Sequence, residues 1–112
     1  MIQDTIAKIE ARLREANLNQ ASAREREELL ALLATLKSEV AGLSATHAEA
    51  AQSIAGFTAV SAHEATRETP NPELVDLSLR GLASSVQGFE QSHPRLVQVV
   101  NAICTTLANL GI

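Results

Sequence analysis

The chain has 112 residues and a mass of 11.9 kDa, enough for one domain around one hydrophobic core. Its 9 Lys and Arg stand against 13 Asp and Glu, a formal charge of −4, which argues against nucleic-acid binding because neutralising phosphates takes a clustered basic face. Phe57 and Phe89 are the only Phe, Tyr or Trp residues, too few for a base-stacking platform or an aromatic cage, and the single Cys104 excludes an internal disulfide.

The first ten residues mix charges with apolar side chains and lack the uninterrupted apolar core of a signal peptide. No window holds the roughly 18 consecutive apolar residues of a membrane span. A soluble, cytoplasmic protein is expected, and a reduced Cys104 fits that compartment.

Ala occurs 19 times and Leu 15 times, while Gly and Pro together number 8, a mixture that favours helix. Apolar spacing predicts where the helices lie. Ile2, Ile6, Ile9, Leu13 and Ala16 follow a 4-3-4-3 pattern, the seam of one helix face. The stretch Asn17-Leu18-Asn19-Gln20 interrupts the pattern and reads as a turn. Ser22-Ala23-Arg24-Glu25 then matches a capping box, followed by Glu27 and Glu28 where the helix dipole favours negative charge. Leu29, Leu33, Leu36, Val40 and Leu43 repeat the seam, so residues of about 2–43 are expected to close as a helical hairpin. The next seam positions are His47, Ala50, Ile54 and Phe57. One helix could therefore continue to about residue 65, unless it breaks near Gly42 or Gly56.

Residues of about 44–71 form a variable region whose end, Thr66-Arg67-Glu68-Thr69-Pro70-Asn71-Pro72, is the clearest linker. Asn71 can cap a helix that starts on Pro72, where a missing N–H costs nothing. From there Val75, Leu79, Leu82, Val86 and Phe89 carry the spacing, and Leu96, Val100, Ile103, Leu107 and Leu110 resume it in register across Pro94. Pro94 removes a backbone bond, so a kink or short break is expected in this long C-terminal segment of about 72–110. Ser92 can recap the chain beyond it, and Gly111 stands where a C′ glycine belongs.

The expected architecture is one all-α domain spanning 1–112, a coiled-coil-like bundle of hairpin plus kinked C-terminal helix, completed by oligomerisation. Residues 1–40 hold 6 basic and 7 acidic side chains, whereas residues 41–112 hold 3 and 6. That sparse charge, replaced by Ala, Ser and Thr, suits close helix contact and predicts a homo-oligomer, a dimer first. Interchain packing is expected along 75–89 and 96–110.

The block Phe89-Glu90-Gln91-Ser92-His93-Pro94-Arg95-Leu96 and the ending Leu107-Ala108-Asn109-Leu110-Gly111-Ile112 resemble a family of short bacterial helical proteins known as a domain of unknown function. Members pair a Phe-Glu-x-Ser-His-Pro-x-Leu block with a Leu-x-Asn-x-Gly-Ile ending. The resemblance covers residues 88–112, and the leucine-rich 29–43 fits the family's helical N-terminal half. Residues 44–69 are longer than the connection usual in such proteins. The resemblance implies bacterial origin, a small helical fold and no established activity, and it supplies no catalytic residue.

Little else carries chemistry. No two of His47, His63 and His93 stand at the i, i+3 or i, i+4 spacing of a helical metal pair, and Arg67 stands where a zinc-protease motif opened by His63-Glu64 would need its second His. In an oligomer, His47 or His93 can meet its symmetry mate and bind a metal or respond to pH. The plainer reading makes His47 and His93 polar residues on or beside the seam and His63 solvated, with Ser92-His93-Pro94 a structural bend. Cys104 has no neighbouring base or cation and reads as a buried, inert thiol. Glu90 and Arg95 are placed to pair across the bend. Lys8, Arg12 and Arg14, interleaved with Glu10 and Glu15, read as solvated faces.

The expected function is a non-enzymatic, self-associating interaction module without cofactor or catalytic residues, working through its apolar seams. Two alternatives stay open: a metal- or pH-responsive switch using His47, His63 or His93, and a subunit that docks on another protein.

Overall fold

Helix α2 (Gln20–Ser44) forms the axis of the molecule, and three helices pack directly on it: α1 (Ile2–Glu15), α3 (Ala48–Ala65) and α5 (Pro94–Gly111). Helix α4 (Pro72–Ser85) packs on α3 and α5. The computed structural model describes residues 2–15 and 20–111, and all regular structure among them is helical. At ~1.5 Å per residue the 25 residues of α2 account for most of the 39 Å long axis. The Cα radius of gyration of 13.0 Å is that of a closed globule of this length.

The chain leaves α2 through local hydrogen bonds rather than at a glycine. Thr46 and His47 both donate their N–H groups to the Leu43 carbonyl (3.1 and 2.8 Å), and Ser44 Oγ donates to Ala41 O (3.0 Å). Hydroxyl side chains compete in this way with helix propagation. The break falls at 45–47, just past Gly42, while Gly56 sits inside α3. At its other end α2 begins at Gln20, two residues before the predicted cap Ser22, so the helix-forming Ala21 and Ala23 are already within it. Ala16, the turn residues 17–19 and Ile112 lie outside the described residues.

Asn71 caps α4 as its spacing predicts, its Oδ1 accepting from the N–H groups of Glu73 (3.0 Å) and Leu74 (3.4 Å), with Pro72 as the first helical residue. The C-terminal segment is two helices rather than one with a kink: α4 ends at Ser85, and residues 86–93 form a connection before Pro94 opens α5. Gly88 lies in this connection at φ +95°, where a Cβ is disfavoured, and its N–H donates to Glu90 Oε1 (2.9 Å). Glu90 therefore turns to Gly88 instead of Arg95. The Ser92 hydroxyl lies 3.0 Å from His93 Nδ1 rather than capping α5, and α5 itself runs through Gly111, one residue past the predicted stop.

All of the fully buried heptad positions face this one chain's interior. Leu29, Leu33, Leu36, Val40 and Leu43 of α2 form its spine, with Ile6, Ile9 and Leu13 of α1 against them. Val75, Leu82 and Val86 close the α4 side, and Leu96, Val100, Ile103 and Leu107 the α5 side. Leu79, Phe89 and Leu110 are half-buried at the core's edge. The charge-poor half also packs within the chain. Ala51, Ala55, Ala62 and Ala65 are buried on α3. Three buried hydroxyls return to their own helices: Thr58 donates to Ile54 O (2.7 Å), Ser78 to Val75 O (2.9 Å) and Thr106 to Ala102 O (3.0 Å), whereas buried Ser61 does not. Small side chains let helix axes approach, and helix carbonyls satisfy the hydroxyls of Thr58, Ser78 and Thr106.

Candidate functional site

Three features outside the core bear on function. The first is an aromatic cluster at one end of the bundle. His47, in the α2–α3 connection, meets Phe89 and His93 of the α4–α5 connection, with ring centroids 5.3 Å (His47–Phe89), 5.6 Å (Phe89–His93) and 6.2 Å (His47–His93) apart, all edge-on. Such edge-to-face contacts add to apolar burial. Each imidazole uses Nδ1 locally: His47 with Thr46 Oγ1 (2.8 Å) and His93 with Ser92 Oγ (3.0 Å). The two Nε2 atoms are left for other partners. The structure thus brings His47 and His93 together within one chain, a pairing that their sequence spacing does not announce. Among the described residues no group of three or more His, Cys, Asp or Glu is placed to hold a metal.

The second feature is an apolar surface across α3 and α4. Phe57 and Val60 of α3 are 40% and 49% exposed, and Leu74 and Leu77 of α4 are 40% and 56% exposed. The Phe57 ring lies directly over Gly81, in the space a Cβ would take. Leu74, Leu77 and Gly81 stand at i, i+3 and i+7, one stripe of α4 that runs beside α3. The i,i+4 ion pair Asp76–Arg80 (2.9 Å) lies on the same helix.

The third is a cavity of about 450 Å³ between α1 and the C-terminal end of α3. Its apolar wall is Ile9, Leu13, Ala59 and Ala62, and three cations (Lys8, Arg12 and Arg67) line it together with His63. Arg67 also donates to Glu64 Oε1 (2.9 Å). Lys8 and Arg12 have no ion-pair partner among the described residues. His63 is exposed, well away in sequence from the His47–His93 cluster.

The cavity escaped the sequence reading because Lys8 and Arg12 look like members of a mixed-charge solvated face. Their signal is the i,i+4 repeat of like charge, which weakens a helix and so asks for a reason. Lys8, Arg12 and Arg14 are exposed, as a solvated face requires, but Glu10 is not: it is 5% exposed, and its carboxylate accepts from Lys37 Nζ (2.9 Å) on α2. Cys104 is half-buried, its Sγ 3.8 Å from the Leu79 carbonyl, and burial pushes its thiol pKa above the ordinary value.

Taken together, these features define a small all-α bundle with a closed core, a basic cavity on one flank of α3 and an apolar surface on the other. The chain belongs to the family described as a domain of unknown function (DUF4404), which matches residues 2–112. The membership includes 44–69, the region now seen as mostly α3. No curated protein and no solved structure matches the chain. No helix among the described residues is long and apolar enough to cross a membrane.

Proposed function

We propose that this protein is a non-enzymatic interaction module that self-associates through the α3–α4 surface rather than through its heptad seams. The observation that carries this reading is the contrast between the two sets of apolar side chains. Leu29, Leu33, Leu36, Leu43, Leu82, Leu96 and Leu107 are sealed inside one chain, while the seam residue Phe57 stands exposed with Val60, Leu74 and Leu77, 40–56% each, on adjacent helices. Contiguous exposed apolar side chains mark interaction surfaces. A second copy suits this face by charge: antiparallel pairing of α4 about a two-fold near Leu77 sets Arg80 opposite the acidic first turn at Glu73 of the other copy.

Light scattering on a sizing column tests this. The expected mass is twice 11.9 kDa, falling to the monomer value in Leu77→Asp with helix content and melting temperature retained. A monomer at every concentration, or a Leu77→Asp dimer, overturns it.

A second reading, a metal-responsive switch, is favoured by the 6.2 Å approach of His47 and His93 with both Nε2 atoms uncommitted. Calorimetry with zinc or nickel is expected to show stoichiometric binding that is lost in His93→Ala. Heats equal to dilution overturn this second reading.

A further inference from the structure

We propose that the cavity between α1 and α3 binds a small molecule with an anionic head, phosphate or carboxylate, and a short apolar body. The cavity volume of about 450 Å³ falls within the ~300–1,000 Å³ of small-molecule sites. Its lining divides by chemistry. Ile9 and Leu13 of α1 and Ala62 of α3 form an almost wholly buried floor held by the core, and half-buried Ala59 with the aliphatic stems of exposed Lys8 and Arg12 offers the surface suited to hydrocarbon. Lys8, Arg12 and Arg67 put three of the chain's nine cations around one concavity, on a protein whose net charge is −4.

That concentration gives an anion a place to bind. Lys8 and Arg12 are one helical turn apart on α1, where like charges repel, and neither is neutralised by a described carboxylate. Only Arg67 is partly answered, by Glu64, through a single Nη1–H. A guanidinium has five N–H donors in a planar fork, so most of the Arg67 donor set stays available to a second anion. Thr66, also in the lining, spends its hydroxyl proton on Ala62 O (2.6 Å). His63 adds a ring that can donate a further hydrogen bond. Like charges grouped around one concavity raise its positive potential, which strengthens capture of the opposite sign.

Calorimetric titration with octyl phosphate, kept below its aggregation concentration, tests the site, with inorganic phosphate and octyl glucoside as head-only and neutral-head controls. Octyl phosphate is expected to bind one to one and more tightly than either control. Combining Lys8→Gln with Arg12→Gln should weaken it about tenfold without lowering the melting temperature. Ala59→Met, which narrows the cavity and leaves every charge in place, should weaken it. Equal binding of octyl glucoside, binding indifferent to both variants, or no binding at all overturns the proposal. Sedimentation with phosphatidylglycerol vesicles locates the source of the head. Wild-type protein carried down while the Lys8/Arg12 variant stays in the supernatant assigns it to a lipid. Octyl phosphate binding without sedimentation assigns it to a free molecule.

Discussion

Lys37 Nζ donates a hydrogen bond to Glu10 Oε1 across 2.9 Å and so ties the middle of α2 to the buried face of α1. The two ends of this bond live in different media: the Glu10 side chain is 6% exposed and that of Lys37 is 37% exposed. Removing the lysine therefore strands a carboxylate that water barely reaches. Lys37→Met is expected to cost about 2 kcal/mol of stability in urea unfolding, more than an exposed ion pair would. Glu10→Gln keeps an acceptor for Lys37 without burying charge and should cost less than half as much. A double-mutant cycle that returns no coupling between positions 10 and 37 would sink this account.

The glycines separate into two kinds that only the structure distinguishes. A Cβ at Gly42 in α2 or Gly56 in α3 meets nothing within 4 Å, whereas at Gly81 in α4 it lands on the Phe57 ring. Gly42→Ala and Gly56→Ala should each stabilise the fold by about 0.5–1 kcal/mol, a few degrees in melting temperature, through lower chain entropy in the unfolded state. Gly81→Ala gains the same helix term but forces Phe57 off its seat, so its net gain should vanish. Equal stabilisation at all three positions would show that Phe57 does not rest on Gly81.

What the sequence made legible follows from local physics. The 4-3 spacing found the residues that would be buried on α2, α4 and α5, because a helix carries one apolar face whatever it packs against. Asn71 and Pro72 were readable because a cap acts over two or three residues. What the spacing does not state is whose helices cover the seam: Leu82 or Ile103 reads the same whether its partner is α3, α2 or a second chain. Register continuity across 86–93 likewise hid a full break between α4 and α5, since a loop can preserve phase by accident. The cavity lined by Lys8, Arg12 and Arg67 joins residues from two ends of the chain's first two-thirds, a nonlocal placement that no periodicity encodes.

Ser61 is the one described side chain whose buried polar atom has no hydrogen-bond partner: the residue is 0% exposed and its Oγ is unsatisfied. Thr58, one turn away on α3, solves the same problem by donating to Ile54 O at 2.7 Å. An orphaned hydroxyl retains its desolvation penalty, and Ala also favours helix over Ser. Ser61→Ala is therefore expected to raise stability by about 1 kcal/mol, while Thr58→Val should be neutral or slightly destabilising. Loss of stability in Ser61→Ala, measured by the same denaturant midpoint, would mean the hydroxyl has a partner after all.

Cys104 supplies the pH-dependent prediction. Burial against α4 raises its thiol pKa in the folded protein, so the folded state holds the proton to higher pH than the unfolded chain does. The sign follows directly: this contribution to stability is fully present below the unfolded thiol pKa and is lost as pH rises through the folded value. Stability should therefore fall on the alkaline side in wild type and fall less in Cys104→Ala. The thiolate is the nucleophile in alkylation, so at neutral pH iodoacetamide should label native Cys104 much more slowly than the same residue in denaturant. Equal labelling rates in the two states would place the thiol in free solvent and remove the basis for its shift.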